Sequence, residues 1–123
     1  MRLFLLFNAS FALLLTSGSI VLSDEIPNFD LRPVCRGIAE MASDPGERGG
    51  PDLKFNQFIK SEQTIRDNLL VQQWSTFARS DREECVQDTM GGGLPSYSDL
   101  LTCLQIAEDA RKFNNPDYLS ISK

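Results

Sequence analysis

The chain has 123 residues and a net charge of −5, from 12 basic and 17 acidic side chains. An acidic chain without a basic run lacks the Lys and Arg that displace counterions from phosphate backbones, so nucleic acid is not an expected partner. The chain contains no histidine, which excludes histidine-based acid–base catalysis and the commonest protein ligand of transition metals. No catalytic, cofactor-binding or metal-binding motif is present, and no cofactor is predicted.

The first 23 residues differ in composition from the rest of the chain. Arg2 is the only charge before Asp24, and the apolar stretch between them ends in small residues. This pattern is typical of a secretory signal peptide. We expect cleavage before Asp24, because Val21 and Ser23 suit the small-residue positions; cleavage after Ser19 is the alternative. Since about 20 apolar residues can span a bilayer, an uncleaved membrane anchor is the competing interpretation.

Cleavage would leave residues 24–123, a length typical of one small domain. No second apolar segment in this part approaches membrane length, so no stable membrane insertion is expected after cleavage. The predicted location is therefore the periplasm or the secreted fraction.

The mature part begins with an irregular segment and a short helix. Pro33 is tolerated in the first turn of a helix, and the apolar residues after it recur at helical spacing to about Ser43. Glycines and prolines crowd residues 44–51, which predicts a flexible surface loop.

Residues 52–80 contain neither glycine nor proline, which predicts one long helix, bent or restarted near Ser61. Glu62 and Arg66 are four apart in the favourable order for a helical ion pair. An apolar stripe at spacings of three and four predicts a buried face, more typical of a core than of a ligand groove. The stripe consists of Ile65, Leu69, Leu70, Trp74, Phe77 and Ala78.

Two further helices are predicted. Ser80 and Glu83 have the spacing of a capping box, which opens the third helix. The three glycines at 91–93 end that helix, since glycine readily adopts the left-handed cap conformation. Ser96 starts the fourth helix, which ends at about Asn114. The expected fold is all-α, a small bundle of three to four helices.

Three cysteines in an exported chain leave one over if a disulfide forms. Cys85 and Cys103 lie at similar heights above the glycine turn of the predicted hairpin, so we expect them to be bridged. The bridge would contribute about 3 kcal/mol in the chain-entropy model. Cys35 is then the free thiol candidate. Reduced core thiols are the alternative, and they suit a cytosolic protein better.

The chain resembles a group of small, uncharacterised exported bacterial helical proteins over roughly residues 55–112. The shared pattern comprises Ser61-Glu62-Gln63, Trp74, Phe77, Cys85, Pro95-Ser96-Tyr97 and Leu100-Leu101-Thr102-Cys103-Leu104. Members of the group carry a further cysteine near the position of Phe58. Its absence here is consistent with Cys35 as the odd thiol. The resemblance implies no particular activity.

The expected function is that of a non-enzymatic envelope or secreted interaction protein, such as a stress chaperone or an inhibitor of a cell-wall enzyme. Its acidic surface would attract a basic partner protein, for example a lysozyme-like enzyme. The alternatives are a small carboxylate-dependent enzyme and a membrane-anchored protein. Glu83, Glu84 and Asp88 lack the loop spacing of a calcium site, so they are expected to form a solvated face.

Overall fold

The computed structural model describes residues 24–115. The predicted signal peptide and its cleavage site before Asp24 lie outside the described residues, as does everything after Asn115. Within this range the chain forms helices and no strand, which confirms the all-α prediction. None of these helices has the length and apolar character that a membrane crossing requires.

There are four helices along residues 24–115. The first helix is α1. The second, α2, passes without interruption from an α-helical part through a π-helical part to a final α turn and a 3₁₀ turn. Their bounds are α1 Arg32–Ala42; α2 Gly50–Thr64, Ile65–Leu70 (π), Val71–Gln73 and Trp74–Thr76 (3₁₀); α3 Arg79–Gly91; α4 Tyr97–Phe113.

The loop between α1 and α2 is shorter than predicted. Because α2 begins at Gly50, the last two residues of the predicted 44–51 loop are helical. Pro51 causes this difference, since its fixed φ suits the first turn of a helix as well as a loop. Gly49 has a φ of +82°, and a Cβ there would lie 2.8 Å from the side chain of Leu53. A glycine is therefore required at the start of α2.

The irregularity in the long helix lies after the predicted position. The chain is α-helical at Ser61, and the π-helical turn covers Ile65–Leu70. A π-helical turn holds an extra residue, so Leu70 faces the core and is 0% exposed. Leu69 lies four residues after Ile65 and was therefore predicted on the buried stripe, but it is 41% exposed. The expected core position of Leu69 is therefore wrong, while those of Leu70, Trp74 and Phe77 are confirmed.

The long helix also ends earlier than predicted. Phe77 and Ala78 are extended, with ψ of 142° and 139°, and the chain turns there without glycine or proline. This turn lets Phe77 enter the core at 3% exposure. The long helix therefore ends where Phe77 is buried, and not at a glycine or proline, the residues that usually mark a helix end in the sequence.

The predicted capping box at the start of α3 is not formed. Ala78 is the N-cap residue, and Ser80 lies inside the first turn. The Glu83 carboxylate accepts from Arg79 (3.1 Å), and the Ser80 hydroxyl oxygen accepts from Arg111 on α4 (2.8 Å). Both side chains have alternative partners, so neither caps the helix. Gly93, past the end of α3, has the expected left-handed conformation, with a φ of +78°.

The core lies between the second half of α2, α4 and the lead-in segment, which is residues 24–31 before α1. α1 packs on α2, and α3 packs on α4. The centroid of the Phe29 ring, in the lead-in segment, lies 4.9 Å from the centroid of the Tyr97 ring. The buried cluster comprises Phe29, Leu31, Cys35, Leu70, Trp74, Phe77, Cys85, Tyr97, Leu100, Leu101 and Leu104.

Candidate functional site

The predicted disulfide joins α3 to α4. The sulfurs of Cys85 and Cys103 are bonded, and their Cα atoms are 5.7 Å apart, within the range that a disulfide requires. Cys85 is 2% exposed, whereas Cys103 is half-buried. The bridge therefore fixes the register of the two helices and leaves part of its surface facing outward.

A groove of about 440 Å³ runs along the outer surface of this hairpin. Cys85 and Cys103 are among its lining residues, and Ile106, Ala107 and Ala110 extend the apolar surface along α4. Ile106 is 65% exposed. The groove therefore offers an uncovered apolar strip between two helices.

Four carboxylates border the apolar strip. Asp81, Glu84 and Asp88 lie on α3, and Asp99 lies on α4. The Nε and Nη2 atoms of Arg111 donate to the Asp81 carboxylate at 2.5 and 2.8 Å, and these hydrogen bonds lower the pKa of Asp81. The other three are exposed, and no described basic side chain pairs with them. The groove thus combines apolar surface with three uncompensated negative charges.

This groove was not predicted from the sequence. Glu84 and Asp88 were expected only to form a solvated face, and both are exposed. A signal was nevertheless present, because acids at 81, 84 and 88 recur at helical spacing around Cys85. Once Cys85 and Cys103 are paired, these acids must border the same side of the hairpin as the residues around Cys103.

The start of α4 is held by a side chain from α2. Glu62 Oε2 accepts from the backbone N–H groups of Tyr97 (2.6 Å) and Ser98 (3.2 Å), and Glu62 Oε1 accepts from the Ser98 hydroxyl (2.6 Å). Ser96 is the N-cap residue, as predicted, and its Oγ accepts from the N–H of Asp99 (3.2 Å). The first three amides of α4 are therefore all satisfied by side chains.

This arrangement replaces the predicted ion pair between Glu62 and Arg66. Arg66 Nη1 instead donates to the neighbouring Asp67 at 3.0 Å. Glu62 binds the free amides at the positive end of α4, where a carboxylate is favoured. Glu62 therefore has a long-range structural role that its sequence spacing did not indicate.

Cys35 is the free thiol of residues 24–115, and it is fully buried. Burial raises the pKa of the Cys35 thiol, and the carboxylate of Glu62 raises it further. Since the thiolate is the nucleophile, these effects suppress its reactivity. Cys35 therefore has the environment of a core residue.

A second, polar cavity of about 480 Å³ lies beside the lead-in segment, where Glu25, Gln63 and Arg66 are among its lining residues. The Tyr97 hydroxyl in this cavity accepts from Phe29 N (2.9 Å) and donates to the Pro27 carbonyl (2.9 Å). Arg66 donates to its neighbour Asp67 through Nη1, whereas its buried Nε has no hydrogen-bond partner among the described residues. The described residues contain no group of three or more Cys, Asp or Glu that could hold a metal ion.

No protein-family model, curated protein or solved structure matches this chain.

Proposed function

We propose that the protein is an exported, non-enzymatic binding protein whose groove between α3 and α4 receives a basic segment of a partner protein. The observation that carries this proposal is the apolar strip bordered by three unpaired carboxylates, those of Glu84, Asp88 and Asp99.

The two kinds of surface have separate roles in binding. Covering Ile106 and the alanines next to it removes apolar area from water, at about 25 cal/mol per Å². The carboxylates speed encounter with a cationic partner and select its charge. Each exposed ion pair would add about 0.2–1 kcal/mol. Affinity therefore depends mainly on the apolar strip, and selectivity mainly on the acids.

Binding is better supported than catalysis. A carboxylate-dependent enzyme uses burial to tune one carboxyl group for proton transfer. Glu84, Asp88 and Asp99 are all exposed, so they lack that kind of environment. An acidic rim on an open groove instead suits recognition of positive charge.

Export is part of the proposal, since a disulfide persists most readily outside the cytoplasm. The partner would be a basic protein of the same compartment, and a lysozyme-like cell-wall enzyme has the required charge.

The test uses the purified native protein and two synthetic peptides of about twelve residues. One repeats Lys-Leu-Ala, and its counterpart has Glu in place of each Lys. Isothermal titration calorimetry should show binding of the basic peptide that weakens with added salt, because salt screens exposed charges. The acidic peptide should not bind.

A pair of variants then locates the binding site. Glu84→Gln with Asp88→Asn removes two groove charges, and we expect a loss of affinity of roughly tenfold. Glu40→Gln with Asp52→Asn is the matched control, since both acids are exposed on α1 or α2 and do not line the groove. Equal losses in both variants, or equal binding of both peptides, would contradict the proposal. So would a dimer in sedimentation analysis that dissociates on Ile106→Lys, because the occupant would then be a second copy.

A further inference from the structure

We infer that the groove binds its partner in one orientation, with a cationic side chain at the end near the glycine turn and apolar side chains at the other end. This inference rests on the proposed function and adds the chemical order of the segment that is recognised.

The disulfide establishes which residues lie at the same height. Cys85 and Cys103 face each other across two antiparallel helices. Asp88 is three residues nearer the turn on α3, and Asp99 is four residues nearer the turn on α4. At 1.5 Å per residue, Asp88 lies about 4.5 Å and Asp99 about 6 Å from the disulfide on its turn side. Two carboxylates from opposite walls therefore border the same end of the groove.

The opposite end has a different character. Ile106, Ala107 and Ala110 follow Cys103 on α4, and they extend about 10 Å away from the turn. The acid at this end, Asp81, already accepts two hydrogen bonds from Arg111. Its negative charge is therefore compensated, and the surface offered to a ligand there is mainly apolar.

Glu84 immediately precedes Cys85, so it lies between the two ends. Unpaired negative charge is thus concentrated over the half of the groove from Glu84 to the turn. A ligand with cationic side chains along its whole length would place some of them beside the apolar half. A ligand with Lys or Arg at one end and small or medium apolar side chains at the other matches both halves.

The dimensions set the length of the recognised segment. From the level of Asp99 to that of Ala110 is about 16 Å. This length accommodates about five residues of extended chain or about eleven residues of helix. The recognised segment is therefore a short stretch of a partner protein with its charge at one end.

The test is a paramagnetic relaxation measurement on the ¹⁵N-labelled native protein. One peptide with a Lys-rich half and a Leu/Ala half carries a nitroxide at either its cationic or its apolar end. The label at the cationic end should broaden the amide resonances of Asp88 and Gly91 at least about threefold more than that of Ala110. The label at the apolar end should give the reverse pattern.

The variant Arg111→Gln provides a second test of the orientation, because it uncovers the carboxylate of Asp81 at the apolar end. Arg111 is about half exposed, so this variant should remain folded, which circular dichroism would verify. With two charged ends available, the cationic label should broaden both ends to similar extents.

Similar broadening of both ends in the native protein, or an orientation that Arg111→Gln leaves unchanged, would overturn this inference while the proposed function stands. Absence of peptide binding in calorimetry would instead contradict the proposed function. The two failures are therefore distinguishable.

Discussion

The two ends of α4 and its middle are attached to the rest of the molecule by different means. At its N-terminus, hydrogen bonds link Glu62 to amides 35 and 36 residues away in sequence. At its middle, a disulfide links it to the adjacent helix across 18 residues. The disulfide stabilises mainly by restricting the unfolded chain. The Glu62 contacts act only in the native state, where they complement the positive end of the helix.

A third attachment lies near the C-terminal end of α4. Arg111 binds Asp81 and Ser80 on α3, but the Arg111 side chain is 53% exposed. Solvent weakens such a pair. The three attachments should therefore differ in strength, in the order disulfide, Glu62 network and surface ion pair.

Removing the disulfide should have the largest effect. We expect Cys85→Ser with Cys103→Ser to lower the free energy of unfolding by about 3 kcal/mol, the value for a loop of this length. Urea denaturation of the oxidised proteins measures this loss. Reductant should destabilise the native protein similarly and leave the variant unchanged.

Cys35→Ala is the matched control, because it shortens a buried side chain without removing a cross-link. Its cost should be about 1 kcal/mol, typical of a small core truncation. Peptide mapping without reduction checks the connectivity. A linked peptide that contains Cys35 would show that the stabilising bridge lies elsewhere.

Breaking the Glu62 network should have the second largest effect. Glu62→Gln removes the charge that accepts from the amides of Tyr97 and Ser98, and it places an NH₂ group beside donors. We expect a loss of about 2 kcal/mol, within the range for hydrogen bonds to a charged group. Hydrogen exchange should also speed up first at the amides of Tyr97 and Ser98.

Glu40→Gln serves as the control for charge alone, because Glu40 is exposed on α1. A loss at Glu62 no larger than that at Glu40 would mean that Ser96 alone caps α4 adequately.

The surface ion pair should have the smallest effect, and it should depend on pH. Arg111 lowers the pKa of Asp81 below its ordinary value of 3.8. The stabilisation is therefore present above about pH 4 and is lost as the pH falls through the lowered pKa of the folded state. Asp81→Asn should cost less than about 1 kcal/mol at neutral pH.

At a pH below the lowered pKa of Asp81, the native protein and Asp81→Asn should converge in melting temperature, since protonation then breaks the native pair. Asp52→Asn, which removes the exposed pair with Arg36, is the control. A gap between the native protein and Asp81→Asn that stays constant down to that pH would show that the ion pair does not cause the difference.

Local features of the fold were predictable from the sequence because their signals lie within a few residues. Ser96 caps α4 through an amide three residues away, and the turn glycines place Cys85 opposite Cys103. The capping box at Ser80 and Glu83 was also predicted from a signal within a few residues. It was wrong, because Arg111 and Arg79 bind those side chains instead. A local signal thus predicts structure only where no stronger distant partner competes.

The candidate groove was less predictable than the helices that form it. Its apolar strip and its acids come from two helices, and their common orientation depends on the register set by the disulfide. The π-helical turn in α2 was not predictable either. The sequence placed both Leu69 and Leu70 on the buried face, and the extra residue of the turn leaves Leu70 in the core and Leu69 exposed.

The sequence by itself determined the helical class, the cap of α4 and the cysteine pair, because hydrophobic period, capping residues and turn glycines act over short separations. Two outcomes were decided only by the tertiary structure. One is which carboxylates remain without a basic partner, and the other is the binding of Glu62 to the first amides of α4. Those outcomes depend on which side chains meet after the helices pack. Ion pairs and hydrogen bonds between distant residues are selected by that three-dimensional arrangement, and no spacing along the chain encodes it.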